Sequence, residues 1–245
     1  MDEIEVVVAH KERTTLRVGD VFLKIDAVPG RLDAEVEAMA LAPVPTAPVL
    51  WHKPQVLAIG ALPGKALGRL GEPSPASKAA WAATGAAVRR LHEAPLPPRP
   101  GRDVSDLPRQ IDEECAWLAS SGLVSPDVVA RNREIAQAVL RPWKPVFVHG
   151  DLQITHVFTD NDEVTGILDW SEGAQGDAHH DLAILTLGHP ERLDDLLAGY
   201  GTDVDREVIH AWWSTRSLLA TRWLAEHGFD PAAPGCEIDV LKAAM

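Results

Sequence analysis

The chain has 245 residues, and 36 acidic against 23 basic side chains give it a formal net charge of −13. That sign argues against a nucleic-acid binder, whose phosphate contacts need a basic face. With 46% hydrophobic and 24% charged residues the composition is that of a folded protein and excludes a disordered chain.

The length suits one domain of two lobes, or two small domains. No apolar run approaches the roughly 20 residues of a membrane span, and the acidic start Met1-Asp2-Glu3-Ile4-Glu5 is unlike the basic start of a signal peptide. A soluble cytoplasmic protein is therefore expected. Cys115 and Cys236 lie far apart without a CxxC pair, which points to neither a disulfide framework nor a cysteine zinc site.

In chain order, Val6-Val7-Val8, Thr15 to Val18 and Val21 to Ile25 read as short strands, with Gly19-Asp20 as a hairpin turn. Leu32 to Leu41 is rich in helix formers and ends at Pro43, Pro45 and Pro48. Val49 to Trp51 and Val56 to Ile59 read as a second strand pair, broken by Gly60 to Gly64. Residues 1–60 thus predict a small sheet with one helix. Beyond them the pattern becomes helical. Ser74-Pro75 and Ser125-Pro126 are helix start signals, Asp106 to Ser120 predicts a helix, and Ala94 to Pro100 is a proline-stiffened connector. Val208, Trp212, Leu219 and Trp223 form one stripe of a helix over 205–227, which reads as core.

One segment breaks the helical trend. Val157 to Thr159 and Val164 to Leu168 read as strands joined by a polar turn at Asp160 to Glu163, so they pair antiparallel. Counting outward from that turn places residue 156 opposite 168 or 169. His156 and Asp169 then meet at the open end of the hairpin, and the loop carrying Asp151 leads into the same end. Converging carboxylates of this kind suit a magnesium site and a base.

His149-Gly150-Asp151, the polar residue five positions later, and Ile167-Leu168-Asp169-Trp170 together resemble the catalytic core of the aminoglycoside phosphotransferase family. Val21-Phe22-Leu23-Lys24, the helix bearing Glu35 and Glu37, the segment Ala58 to Gly64 and Gly176 to Ala183 resemble further parts of that family in the same order. The resemblance implies an α+β, two-lobed protein-kinase-like fold. Residues 1–60 would be the nucleotide-binding lobe with its small antiparallel sheet and one helix, and 61–245 the larger, mostly α catalytic lobe. It also implies transfer of the γ-phosphate of ATP or GTP, with magnesium, to a small-molecule hydroxyl, without nucleic acid or membrane as a partner.

By the same resemblance Asp151 is the catalytic base, Asp169 and His156 hold the metal, and Lys24 contacts the phosphates. Glu35, or less favourably Glu37, positions Lys24, and backbone groups of Gly60, Ala61 and Leu62 bind the nucleobase. The acidic surplus is compatible with a cationic aminoglycoside acceptor, whereas histidine at position 156 resembles the macrolide branch, so the acceptor stays open between the two, with a metabolic sugar or amino alcohol as a further alternative. His149, Asp177 and Asp181 read as braces or caps.

The hairpin Ala9 to Thr14 has no glycine and does not copy a GxGxxG phosphate cradle; its Lys11 and Arg13 either contact phosphate instead or, on the favoured reading, are solvated. The missing loop, the histidine at position 156 where the resemblance implies a metal-binding asparagine, and the short chain motivate a competing class, a kinase-fold nucleotide- or ligand-binding protein with little or no turnover. Other chemistries find less support. No HExxH spacing favours zinc, Ile59 and Ala66 break a P-loop reading around Gly64-Lys65, and no GxSxG is present.

Overall fold

A computed structural model describes residues 3–102, 104–201 and 203–244. Met1 and Asp2 of the acidic start, and Met245, lie outside the described residues. The first 60 residues build a five-stranded antiparallel sheet from β1 (Ile4–Ala9), β2 (Arg13–Val18), β3 (Val21–Asp26), β4 (Val49–Lys53) and β5 (Val56–Gly60), in the order β1-β2-β3-β5-β4. Gly19 takes φ 56° in the tight turn between β2 and β3, a conformation that glycine adopts without steric cost. Helix α1 (Arg31–Leu41) buries Leu32, Glu35, Ala38 and Met39 at helical spacing. Its inner face reaches the segment after Asp169, where a Cβ on Gly173 would stand 2.7 Å from that of Ala38.

The rest is mostly helical. A short β6 (Lys65–Ala66) leads to α2 (Lys78–Glu93), followed by α3 (Leu107–Ser121) and α4 (Pro126–Ile135). The α2 start is a correction, because Ser77, not Ser74, caps the helix by accepting from Ala80 N at 3.0 Å. Ser74 is engaged elsewhere, donating to Leu67 O at 2.6 Å and accepting from Trp81 Nε1 at 3.2 Å. A buried carbonyl and a buried indole claim that hydroxyl, and the next serine takes the cap.

The segment singled out by its strand pattern forms β7 (Val146–Val148), β8 (Val157–Asp160), β9 (Glu163–Ile167) and β10 (Ala174–Gly176). β8 and β9 pair antiparallel with Val157 opposite Ile167, and Asn161 and Asp162 both take positive φ, as a two-residue type I′ turn requires. β7 pairs with β10, and β6 adds a third strand beside β8. Helices α5 (Ala178–Thr186), α6 (Leu193–Tyr200), α7 (Arg206–Glu226) and α8 (Glu237–Ala243) complete the lobe.

The long α7 corrects the reading of its stripe. Val208 and Trp212 are buried, whereas Leu219 is half-buried and Trp223 is 45% exposed. The apolar face leaves the core halfway along the helix and lines a cleft between the lobes. Among the described residues no helix is long and apolar enough to cross a membrane.

Candidate active site

The loop after β7 is fixed from beneath. Asp181 on α5 is buried and accepts from three donors, His149 N at 2.7 Å, Gly150 N at 2.9 Å and His92 Nε2 at 3.2 Å. Gly150 has φ 87°, and a Cβ there would lie 2.4 Å from the Glu172 carbonyl oxygen, so the turn admits no side chain. His149 ties the loop to the next strand. Its Nε2 donates to Leu168 O at 2.8 Å, which leaves Nδ1 to accept from Asp151 N at 3.3 Å. Burial pushes this imidazole below its ordinary pKa and keeps it neutral, as that pattern requires. The same ring therefore spans the two segments that carry Asp151 and Asp169.

Asp151 presents its carboxylate to the cleft with 30% side-chain exposure. Gln153 Nε2 donates to both oxygens, at 3.1 and 3.2 Å, and Arg216 of α7 stands 3.7 Å from Oδ1. His156 lies where the count from the turn places it, since Leu168 N donates to His156 O at 2.9 Å. Its Nδ1 is 2.9 Å from Asp151 O, and a carbonyl only accepts, so Nδ1 carries a proton. In the neutral ring the lone pair is then on Nε2, 3.9 Å from Asp169 Oδ2.

Lys24 comes from β3 and Glu35 from α1. Their side chains pair at 2.5 Å, while Glu37 is exposed, which resolves the choice between the two glutamates as partner of Lys24. Lys24 Nζ also reaches Asp169 Oδ1 at 3.1 Å. Asp169 itself holds φ 62° and ψ 60°, an uncommon strained backbone for a residue with a side chain and one that recurs at functional positions.

Arg13 is the residue whose favoured reading from the sequence is overturned. It is not solvated: its side chain is 12% exposed, and Nη1 donates to Asp169 Oδ1 at 2.9 Å and Oδ2 at 3.2 Å. Its Nε donates to Asp26 Oδ2 at 3.1 Å, and Asp26 also accepts from Val28 N and from Arg31. Counting outward from the Gly19-Asp20 turn sets Arg13 opposite Asp26, so the cross-strand charge pair was a usable signal. Burial alone raises the Asp169 carboxyl, but the charges of Lys24, His156 and Arg13 overcome it and hold the group well below the usual carboxylate range.

The segment whose backbone groups are expected to bind the base has two of its three amides engaged within the protein. Gly60 N donates to Pro48 O at 2.9 Å and Ala61 N to Asp20 O at 2.8 Å. Both amides are spent on the N-terminal lobe. Of the three expected donors only the Leu62 amide makes no hydrogen bond among the described residues.

The cleft has a volume of about 810 Å³ and reaches from Arg13 and Asp169 past Asp151 to an apolar wall of Trp212, Leu219, Trp223, Leu224 and Phe229. His180 borders it beside Trp212, with ring centroids 4.8 Å apart. Burial, reinforced by Arg102 and Arg216 against the pull of Asp181 and Asp151, pushes this imidazole down to about 4. An unfolded chain protonates the same ring near its ordinary 6.5, so the stability gained by keeping it neutral is present above that pH and is lost as pH falls towards 4. Melting temperatures should accordingly fall more steeply for the wild type than for His180→Gln across that window, and parallel curves would refute the assignment.

The donor set also bears on a metal. Asp169 and His156 Nε2 face one another, and among the described residues no group of three His, Cys, Asp or Glu side chains converges to hold an ion. The Asp169 carboxylate suits magnesium, which binds through one or two carboxylates and completes its shell with phosphates and water, while the His156 imidazole is a poorer donor for so hard an ion and can ligate it or hold one of its waters.

Comparison with known proteins places this geometry. The fold superimposes on a spectinomycin phosphotransferase in complex with ADP and spectinomycin at TM-score 0.71 and 13% identity, covering 98% of this chain and 92% of that one. A macrolide 2'-phosphotransferase from Brachybacterium faecium matches at TM-score 0.68 and 18% identity, over 98% and 91%. A choline/ethanolamine kinase family protein from Mesorhizobium loti matches at 0.72 and 21%, over 99% and 88%. No curated protein matches the sequence significantly. Residues 12–212, which run from the Arg13 strand through both carboxylate loops to Trp212, match the phosphotransferase enzyme family, and the chain belongs to that family.

Proposed function

We propose that the protein transfers the γ-phosphoryl group of ATP or GTP to a hydroxyl of an antibiotic-like small molecule. The observation that carries this reading is the meeting of the Lys24–Glu35 pair, Asp169, His156 and Asp151 along one cleft. Phosphoryl transfer demands mainly alignment and neutralisation of charge, and these groups supply both. Asp151 accepts the proton of the acceptor hydroxyl while its oxygen bonds to the γ-phosphorus and the bond to the β,γ-bridging oxygen breaks, releasing the nucleoside diphosphate. Lys24, held by Glu35, binds the phosphates. Asp169 and His156 would hold magnesium, which when bound neutralises charge on the phosphates.

The apolar wall favours an acceptor with a large apolar body, such as a macrolide, and Glu172, Asp230 and Glu237 beside Arg102 and Arg216 leave room for a cationic amine on it. Incubation with ATP or GTP and a panel of macrolides, aminoglycosides and amino alcohols, read by mass spectrometry, tests the reading. A gain of one phosphoryl group on a macrolide is expected. Phosphorylation confined to aminoglycosides would overturn the acceptor class, and no product with any acceptor would favour a ligand-binding protein. That second reading draws on the pairing of Asp169 with Arg13 and Lys24, which masks the carboxylate.

A further inference from the structure

We propose that Arg13 is a nucleotide-binding residue that replaces the absent glycine-rich loop, passing from the Asp169 carboxylate to the triphosphate when the nucleotide enters. The inference rests on the phosphotransfer reading above. A glycine-rich loop binds phosphate through backbone N–H groups brought close by residues without side chains. Between β1 and β2 the residues are His10, Lys11 and Glu12, and His10 N is already bonded to Arg13 O at 2.9 Å. That hairpin offers no such cradle, and of His10 and Arg13, the side chains it sends to the cleft, Arg13 is the one that reaches Asp169.

The guanidinium is divided between a fixed anchor and an exchangeable partner. Nε is held by Asp26, which is buried and bound in turn by Val28 N and Arg31. Nη1 lies on Asp169, the carboxylate that a metal ion also needs. Lys24 shares Oδ1 of that carboxylate, so a divalent ion arriving there would be a third centre of positive charge on one anion. One cation has to leave. Lys24 is retained by Glu35, a buried residue with no other ion-pair partner among the described residues. The Arg13 guanidinium is the group that can pivot as a whole about its Nε–Asp26 hydrogen bond, carrying Nη1 off Asp169 without abandoning its own anchor. A phosphate offers the guanidinium the same paired oxygen acceptors as the carboxylate it gives up. The cation that masks Asp169 before nucleotide binding thereby becomes a phosphate ligand afterwards.

Calorimetric titration of ATP, ADP, AMP and adenosine, and of the guanine series, each with magnesium, into wild type, Arg13→Gln and Arg13→Lys tests the exchange. Arg13→Gln is expected to weaken triphosphate binding by about 10- to 100-fold, the worth of one or two charge-assisted hydrogen bonds, while nucleoside affinity changes by less than about twofold. Arg13→Lys should recover part of the loss. An equal loss for nucleoside and triphosphate would make Arg13 structural, and unchanged or tighter triphosphate binding would make it only a mask on Asp169; either result overturns the proposal. If Arg13→Gln does not melt cooperatively, Arg13→Lys, which keeps the charge beside Asp26 but not the fork, carries the same comparison. A wild type that binds no nucleotide overturns the phosphotransfer reading together with this one. A wild type that binds triphosphate while Arg13→Gln and Arg13→Lys bind it equally well overturns this one alone.

Discussion

Replacement of Asp151 by alanine is expected to slow phosphoryl transfer by about a hundredfold to ten-thousandfold, with nucleotide affinity within about twofold of wild type, because general-base catalysis is worth that range. The separation of the two effects follows from the contacts. The Asp151 carboxylate meets Gln153 and Arg216, neither of which hydrogen-bonds or ion-pairs with Lys24 or Asp169 among the described residues. The loop is held through groups that alanine keeps, the Asp151 N–H on His149 Nδ1 and the Asp151 carbonyl under His156 Nδ1. Alanine at 169 should behave differently, since it strips Lys24 and Arg13 of a shared partner and costs nucleotide binding as well as rate. Single-turnover transfer to an active acceptor, with calorimetric nucleotide titration beside it, measures both quantities. A loss in rate smaller than about tenfold would remove Asp151 from the role of base.

What the sequence discloses about this site depends on how local each determinant is. The hairpin of β8 and β9 is readable because alternating apolar residues and a polar two-residue turn lie within a few positions of one another, and its register then places His156 beside the Asp169 segment. The partnership of Lys24 with one glutamate is half readable. Helical spacing leaves Glu35 and Glu37 as rivals, and only the packing of α1 buries the first and exposes the second.

Arg13 eludes local reading because its decisive partner is 156 positions away. A basic residue next to a turn looks solvated until the second lobe is placed under it. The hinge amides illustrate the same limit, for whether Gly60 and Ala61 donate to a base or to Pro48 and Asp20 depends on strand pairing, not on residue type. In α7, periodicity identifies the apolar face correctly, but a face that meets protein at Trp212 and open cleft at Trp223 has one and the same pattern. Apolar spacing reports which side of a helix avoids water and is silent on whether protein or a ligand-sized space covers it.

The second large effect is expected at Asp181, a residue that touches neither substrate site. Its Oδ2 accepts from His149 N and His92 Nε2 and its Oδ1 from Gly150 N, all in the protein interior. Asp181→Ala would leave two backbone N–H groups and the His92 Nε2–H without an acceptor, and removing one side of such a buried charged network costs about 3–5 kcal/mol. In a chain of this size that corresponds to a fall in melting temperature of about 10 °C. Asp181→Asn should recover only part, because its NH₂ would face one of the donors in place of an acceptor.

The pH dependence has a defined sign. Burial raises this carboxyl, but the hydrogen bond from His92 and the neighbouring imidazoles hold it below its ordinary value of 3.8. Its contribution is therefore present above that value and is lost as pH falls through the lower folded one. Calorimetric melts of the three proteins at neutral pH and at successively lower pH would show the gap between wild type and Asp181→Ala closing under acid. Because the same carboxylate sets the His149-Gly150 turn that delivers Asp151, the alanine variant should also lose turnover at temperatures where it is still folded. A variant that melts early yet transfers phosphate at the wild-type rate in the cold would show that Asp181 supports the lobe without positioning the base.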